Sequence, residues 1–282
     1  MNVVSLSHGD STIAALLQQA MCMLRQTLEQ PATEARRLLA FVLEWPVTRL
    51  LAYDQTIVAR DEVRRFLELV DTRASGIPLA HLVGAEGFWS LTLHVTPACL
   101  IPRPETELLV ELALASPETA LRVADLGTGS GAVALALATE RPDWHITATD
   151  RSAQALAVAQ GNAQRLGLTQ LQWRLGDWCE PLLQDPPYDL LISNPPYLAH
   201  GEPSPDHEPP MALYAGPSGT EALEAIIRQS QQVLAPGGRL LLEHGACQRP
   251  WVLACLDTAG FQVNQVRNDG AGLPRAVMAQ RH

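Results

Sequence analysis

From about residue 120 onward the apolar pattern switches repeatedly between strand period and helix period, and this alternation limits the chain to few folds. Strand-like segments fall at 121–126, 145–149, 171–175, 189–193, 239–243, 261–267 and 275–280. Segments of helical spacing separate them at 132–140, 153–166, 220–234 and 250–259. A parallel strand pair needs a long crossover, which a helix supplies, so the order predicts an α/β fold with a mostly parallel sheet covered on both faces. The proline- and glycine-rich stretch 200–217 reads as an irregular loop beside a site.

The first 80 residues have a different period. Ser11 and Thr12 precede apolar positions at Ile13, Leu16, Leu17, Ala20 and Leu24, which is helix spacing broken by Pro31. A second helix carries Ala35, Leu38, Leu39 and Val42 and is expected to end at Pro46. A third runs from about Asp61 through Val63, Phe66, Leu67 and Val70, closed by Gly76 and Pro78. Three short helices predict a small bundle. Leu91, Leu93 and Val95 then alternate with polar residues, as in a hairpin strand or extended linker. Pro102 and Pro104 stiffen the next segment, and a helix is expected from about Pro104 with Glu105 and Glu107 in its first turn. The expected organisation is a helical domain over 1–83, a hairpin linker over 84–103 and the α/β domain over 104–282.

Composition narrows the function classes. With 30 acidic against 20 basic residues the formal charge is -10, which disfavours the counterion-release binding that nucleic acids drive and favours a basic protein partner. The five cysteines are scattered without a C-x-x-C pair, so neither a disulfide framework nor a metal site is expected. Residues 1–10 lack a basic stretch followed by an apolar run, and no segment reaches the roughly 20 apolar residues of a membrane span. A protein of the reducing cytoplasm, with no membrane association, is expected.

Four motifs carry chemistry, each at the end of a predicted strand. Asp125-Leu126-Gly127-Thr128-Gly129-Ser130-Gly131 joins a strand to a helix, where glycines let the backbone approach a ligand. Gly127, Gly129 and Ala132 also fit a dinucleotide fingerprint. Asp125 separates the readings: a carboxylate there repels a pyrophosphate and suits the sulfonium and ammonium charges of S-adenosyl-L-methionine. Asp150, at the tip of the next strand, can accept from both ribose hydroxyls or cap the following helix. Asp177 and Trp178 follow the third strand, placed for an adenine amino group and ring, or for a polar turn with a half-buried aromatic.

Asn194-Pro195-Pro196-Tyr197, after the apolar strand ending at Ser193, is the most informative. A planar nitrogen conjugated to a π-system has no lone pair aimed at an electrophile, so a catalyst must hold both its N–H groups with acceptors and orient it. The Asn194 side-chain oxygen and the Pro195 carbonyl are such acceptors, Pro196 rigidifies the turn and Tyr197 can wall the planar group. A simple proline turn closing a strand is the plainer reading of the same residues.

Together with Ile-Pro-Arg-Pro-Glu-Thr-Glu at 101–107, these motifs resemble the release-factor glutamine N5-methyltransferase family, also called HemK or PrmC. The stretches 78–84, 88–91 and 240–245 extend the resemblance over almost the whole chain. It implies a Rossmann-like class I methyltransferase domain with a seven-stranded sheet, a helical N-terminal domain that docks the substrate, and methyl transfer from S-adenosyl-L-methionine to the glutamine of a Gly-Gly-Gln tripeptide in peptide chain release factors. By position it assigns Gly127 to Gly131, Asp150, Trp178 and Asn194 to the cofactor, and Asn194 to Tyr197 to the glutamine. The Asn-Pro-Pro-Tyr motif is shared with adenine-N6 nucleic-acid methyltransferases, and a ribosomal-protein glutamine is an alternative acceptor. An inactive cofactor-binding module and a dehydrogenase are further alternatives, the latter opposed by Asp125.

Overall fold

The computed structural model describes residues 11–118 and 120–282; the expectation for residues 1–10 lies outside them. The chain divides into two compact units, 1–84 and 85–282.

In the first unit a two-residue strand at Ser11–Thr12 (β1) pairs antiparallel with Ile57–Val58 (β2). Helices run over Ile13–Leu24 (α1), Pro31–Leu43 (α2), Val47–Ala52 (α3), Arg60–Ala74 (α4) and Leu79–Val83 (α5). Thr12 caps α1, its hydroxyl accepting from the Ala15 amide at 3.3 Å. Pro31 opens α2 at its first turn, where the missing N–H costs nothing. The apolar stripes named above meet in one core that includes Ile13, Leu16, Leu38, Leu39, Phe66 and Val70. Three helices were expected and five are present among the described residues. The two additional ones, α3 and α5, span 6 and 5 residues, too few turns for a period to show.

The second unit begins with the hairpin Ala85–Phe88 (β3) and Leu91–His94 (β4). A 3-10 turn over Pro104–Thr106 leads into helix Glu107–Leu114 (α6). The alternating region follows: Arg122–Leu126 (β5), Ala132–Glu140 (α7), His145–Asp150 (β6), Ala153–Leu166 (α8), Gln172–Leu175 (β7) and Tyr188–Ser193 (β8). Then come Leu198–Ala199 (β9), Tyr214–Gly216 (β10), Glu221–Val233 (α9), Leu234–Glu243 (β11), Arg249–Thr258 (α10), Phe261–Asn268 (β12) and Pro274–Arg281 (β13). Seven of these strands form one sheet in the order β12-β13-β11-β8-β5-β6-β7. The pairings β11–β8, β8–β5, β5–β6 and β6–β7 are parallel, while β13 runs antiparallel to both its neighbours.

Alternation along the strands divides the core into two layers. Val123, Leu190, Ile192 and Leu241 point to the layer shared with α6 and α7. Ala124, Leu126, Leu191, Leu240 and Leu242 point to the layer built with α9 and α10. Residues 200–217 depart from the expected irregular loop. They contain a 3-10 turn at Pro210–Ala212, and β10 within them pairs in parallel with β9. The sheet runs outward from β5 to β7 and then returns to β8 on the other side of β5. That reversal opens a crevice at the carboxyl ends of β5 and β8, the place where open α/β sheets bind ligands. Among the described residues no helix is long and apolar enough to cross a membrane.

Candidate active site

The crevice is a cleft enclosing about 940 Å³ of space free of protein, solvent at its mouth included. Its walls include Asp125, Gly127, Thr128, Gly129, Ser130, Asp150, Asp177, Trp178, Asn194 and Pro196. Four separate strand tips therefore converge on one volume. Gly131, Pro195 and Tyr197 lie outside the lining, and each has another place. Gly131 is the residue before α7, with φ of 86°, and an added Cβ would fall 2.9 Å from Leu135 Cδ1. Pro195 is buried. Tyr197 packs towards Gly245, and its carbonyl accepts from Gln248 Nε2 at 2.9 Å.

The glycine loop is held from several sides. The amides of Gly127 and Thr128 both donate to the Thr149 carbonyl at 2.9 Å. Asp125 Oδ2 accepts from Thr128 Oγ1 at 2.6 Å and from the Ala134 amide at 3.2 Å, so this buried carboxylate first braces the loop and the start of α7. Burial pushes its pKa up to about 6 despite those hydrogen bonds. Gly127 has φ of 71°, and a Cβ there would lie 3.1 Å from Trp178 Cζ3, so the glycine lets the indole press against the backbone. Trp178 is itself left-handed, with φ of 47°. Asn162, which sequence reasoning missed, ties the loop to the hairpin: its Nδ2 donates to the Ser130 and His94 carbonyls, both at 2.9 Å.

Asp150 is not the helix cap of the alternative reading. Ser152 caps α8, accepting from the Ala155 amide at 3.1 Å. Asp150 instead accepts one amide on each oxygen, Ser152 on Oδ1 at 2.8 Å and Gly129 on Oδ2 at 2.9 Å. Asp150 also lines the cleft, and a carboxylate can accept more than these amides. Burial raises its pKa. Asp177 Oδ1 is buried with no hydrogen-bond partner, an acceptor that a ligand N–H would satisfy.

At the tip of β8, Asn194 Nδ2 donates to Thr106 Oγ1 at 2.9 Å, and Thr106 Oγ1 donates to Glu243 Oε2 at 2.8 Å. Neither partner was singled out in the sequence as a site residue. The one available sign was a lone carboxylate closing the apolar run Leu240-Leu241-Leu242-Glu243. Glu243 is 1% exposed, and burial pushes its pKa up to about 7. Among the described residues neither Asn194 Oδ1 nor the Pro195 carbonyl accepts a hydrogen bond. Arg103 and Glu208, also not foreseen, fasten the proline segment to the loop after β9: Glu208 accepts from the Ile101 amide at 3.0 Å and pairs with the Arg103 guanidinium.

Residues 104–244 match the Methyltransferase small domain family and residues 15–84 the PrmC N-terminal domain family. The release factor glutamine methyltransferase of Coxiella burnetii is 41% identical over 256 residues, covering 89% of this chain and 92% of that protein. The chain belongs to the release factor glutamine methyltransferase family. The Escherichia coli member is 42% identical over 251 residues, covering 87% of this chain and 90% of its own length. Among solved structures, the ribosomal protein L11 methylase of Lactobacillus delbrueckii aligns with a TM-score of 0.52 at 21% identity, over 67% of this chain and 84% of that one. That likeness is one of fold, the class I methyltransferase architecture.

Proposed function

We propose that this methyltransferase transfers a methyl group from S-adenosyl-L-methionine to the side-chain amide nitrogen of the Gly-Gly-Gln glutamine in a peptide chain release factor. The observation that carries the reading is the Asn194 side-chain oxygen, which accepts no hydrogen bond on a residue lining the cleft beside the glycine loop; the Pro195 carbonyl, likewise unpaired, follows it directly at the same strand tip. Two acceptors match the two N–H groups of a primary amide.

The cleft suits the cofactor on its own features. Gly129, left-handed and with nothing within 4 Å of an added Cβ, leaves room for close backbone approach, Asp150 keeps acceptor capacity for a ribose, and the orphaned Asp177 Oδ1 suits an exocyclic amino group. Trp178 offers an aromatic face beside it. Asp125 shapes the loop and adds negative potential for a cationic ligand. When bound, S-adenosyl-L-methionine supplies a methyl group on an electrophilic sulfonium.

The protein's part is orientation and electrostatics. Asn194 Oδ1 and the Pro195 carbonyl accept the two amide hydrogens and fix the plane of the nitrogen. Their dipoles stabilise positive charge developing on that nitrogen, whose N–H acidity then rises enough for the proton to leave without a strong base. Tyr197, braced by Gln248, stiffens the far end of the segment.

Mass spectrometry of a release factor incubated with the enzyme and cofactor tests the reading. One added methyl on the tripeptide glutamine is expected, and no transfer to DNA or to ribosomal protein in parallel reactions. Methylation of adenine, or of a ribosomal glutamine in preference, would overturn it.

A further inference from the structure

Asn194 can act as an acceptor only if its amide is turned the right way, and nothing in an asparagine decides that by itself. A rotation of about 180° about χ2 exchanges the oxygen for an NH2 group of nearly the same shape. In the flipped state a donor would face the donors of the substrate amide. The structure contains a device that removes the choice. The Thr106 hydroxyl has one hydrogen, and Glu243 Oε2 takes it at 2.8 Å. Thr106 Oγ1 can therefore only accept from Asn194, so Asn194 presents Nδ2 to it, at 2.9 Å, and Oδ1 away from it. Thr106 is 5% and Glu243 1% exposed, so both groups are largely withdrawn from water.

We propose that Thr106 and Glu243 are positioning residues for methyl transfer: the buried carboxylate fixes the threonine hydroxyl as an acceptor, and the hydroxyl fixes the Asn194 amide with its oxygen towards the substrate nitrogen. The chain of bonds joins three places far apart in sequence, namely the end of β11, the turn before α6 and the tip of β8. It gives the proline-rich 101–107 segment a duty in the chemistry as well as in covering the cleft. This inference rests on the proposed amide-methylating function.

The experiment compares the full-length wild type with Thr106→Val and Thr106→Ser at about pH 8, above the value near 7 at which Glu243 would hold a proton. Valine keeps the shape and removes both hydrogen bonds, and serine keeps both. Thr106→Val is expected to lower kcat roughly 10- to 100-fold with KM for the release factor within about threefold, and Thr106→Ser to restore kcat to within about threefold of wild type. Glu243→Gln, which can donate as well as accept, is expected to lower kcat about 3- to 10-fold, and serves where the valine variant fails to fold. Side-chain amide NMR of 15N-asparagine-labelled protein gives a readout independent of turnover: the Asn194 NH2 signal should shift and exchange faster in Thr106→Val. A valine variant that folds and keeps wild-type kcat, or an Asn194 signal unchanged by the substitution, would overturn the inference. A wild type that methylates no glutamine would instead overturn the function, and the NMR comparison would still decide the Asn194 orientation.

Discussion

Asp125 lines the cleft, and the structure gives it a second part as a brace of its own loop. Its charge argues against a pyrophosphate ligand, yet its shortest bonds run to Thr128 and Ala134 of its own loop. Its pKa rises from 3.8 to about 6 on burial, with Asp150 adding to the shift. The folded state thus holds this proton more tightly than the unfolded chain. The resulting stabilisation is complete below about pH 4 and is lost as pH rises through about 6. In urea titrations the Asp125→Asn variant should lack this part of the pH dependence, a difference on the order of 3 kcal/mol between the ends of the window. Parallel stability curves for the two proteins would refute it. At Gly127, φ of 71° and the Trp178 ring 3.1 Å from an added Cβ both oppose a side chain. Gly127→Ala should weaken S-adenosyl-L-methionine binding by about tenfold or more, since the loop relieves left-handed strain of roughly 1–2 kcal/mol by leaving its glycine conformation, and binding must restore it. Calorimetric titration reads this directly, and an unchanged Kd would show that the indole moves aside freely.

At the scale of elements, the segment 101–106 is held by bonds that reach across the chain. Glu208, its side chain 1% exposed, accepts from the Ile101 amide and pairs with Arg103. Removing it leaves a buried amide without a partner. Glu208→Ala should lower the unfolding free energy by about 2 kcal/mol and speed exchange of the Ile101 amide at least about tenfold. Denaturant titration and hydrogen exchange check the two effects, and a fully protected Ile101 amide would show that the segment needs no such fastening. The same bonds mark what could be read from sequence. Strands β5, β6 and β8 and helices α7 and α8 stand within a residue of their expected bounds, because their period is local and their ends carry glycine, aspartate or proline. β11 begins at Leu234 rather than 239, since Pro236 and Gly237 disguise its first half. The β9–β10 pair escaped notice because two- and three-residue strands have no period of their own and form only when the intervening loop closes. Glu208 and Glu243 escaped notice for a related reason. Their partners lie 107 and 137 positions away, and only the folded sheet brings them together.

For the whole molecule, the division into 1–84 and 85–282 separates units with cores of their own. The first unit has its own core of Ile13, Leu38, Phe66 and their neighbours. The second holds both layers of the sheet core, and every residue lining the cleft belongs to it. Cofactor binding should therefore survive removal of the first unit, because neither the glycine loop nor Asp150, Asp177 or Asn194 draws on it. Recognition of a folded release factor is a different requirement, which we assign to the helical unit. A fragment spanning 85–282 is expected to bind S-adenosyl-L-methionine with a Kd within about threefold of the full chain, while kcat/KM on intact release factor falls at least about tenfold. Calorimetry and a methylation assay on the same preparation separate the two outcomes. A folded fragment that methylates release factor as well as the full chain would remove the docking role from the first unit, whereas one that binds no cofactor would place part of the cofactor's support within residues 1–84.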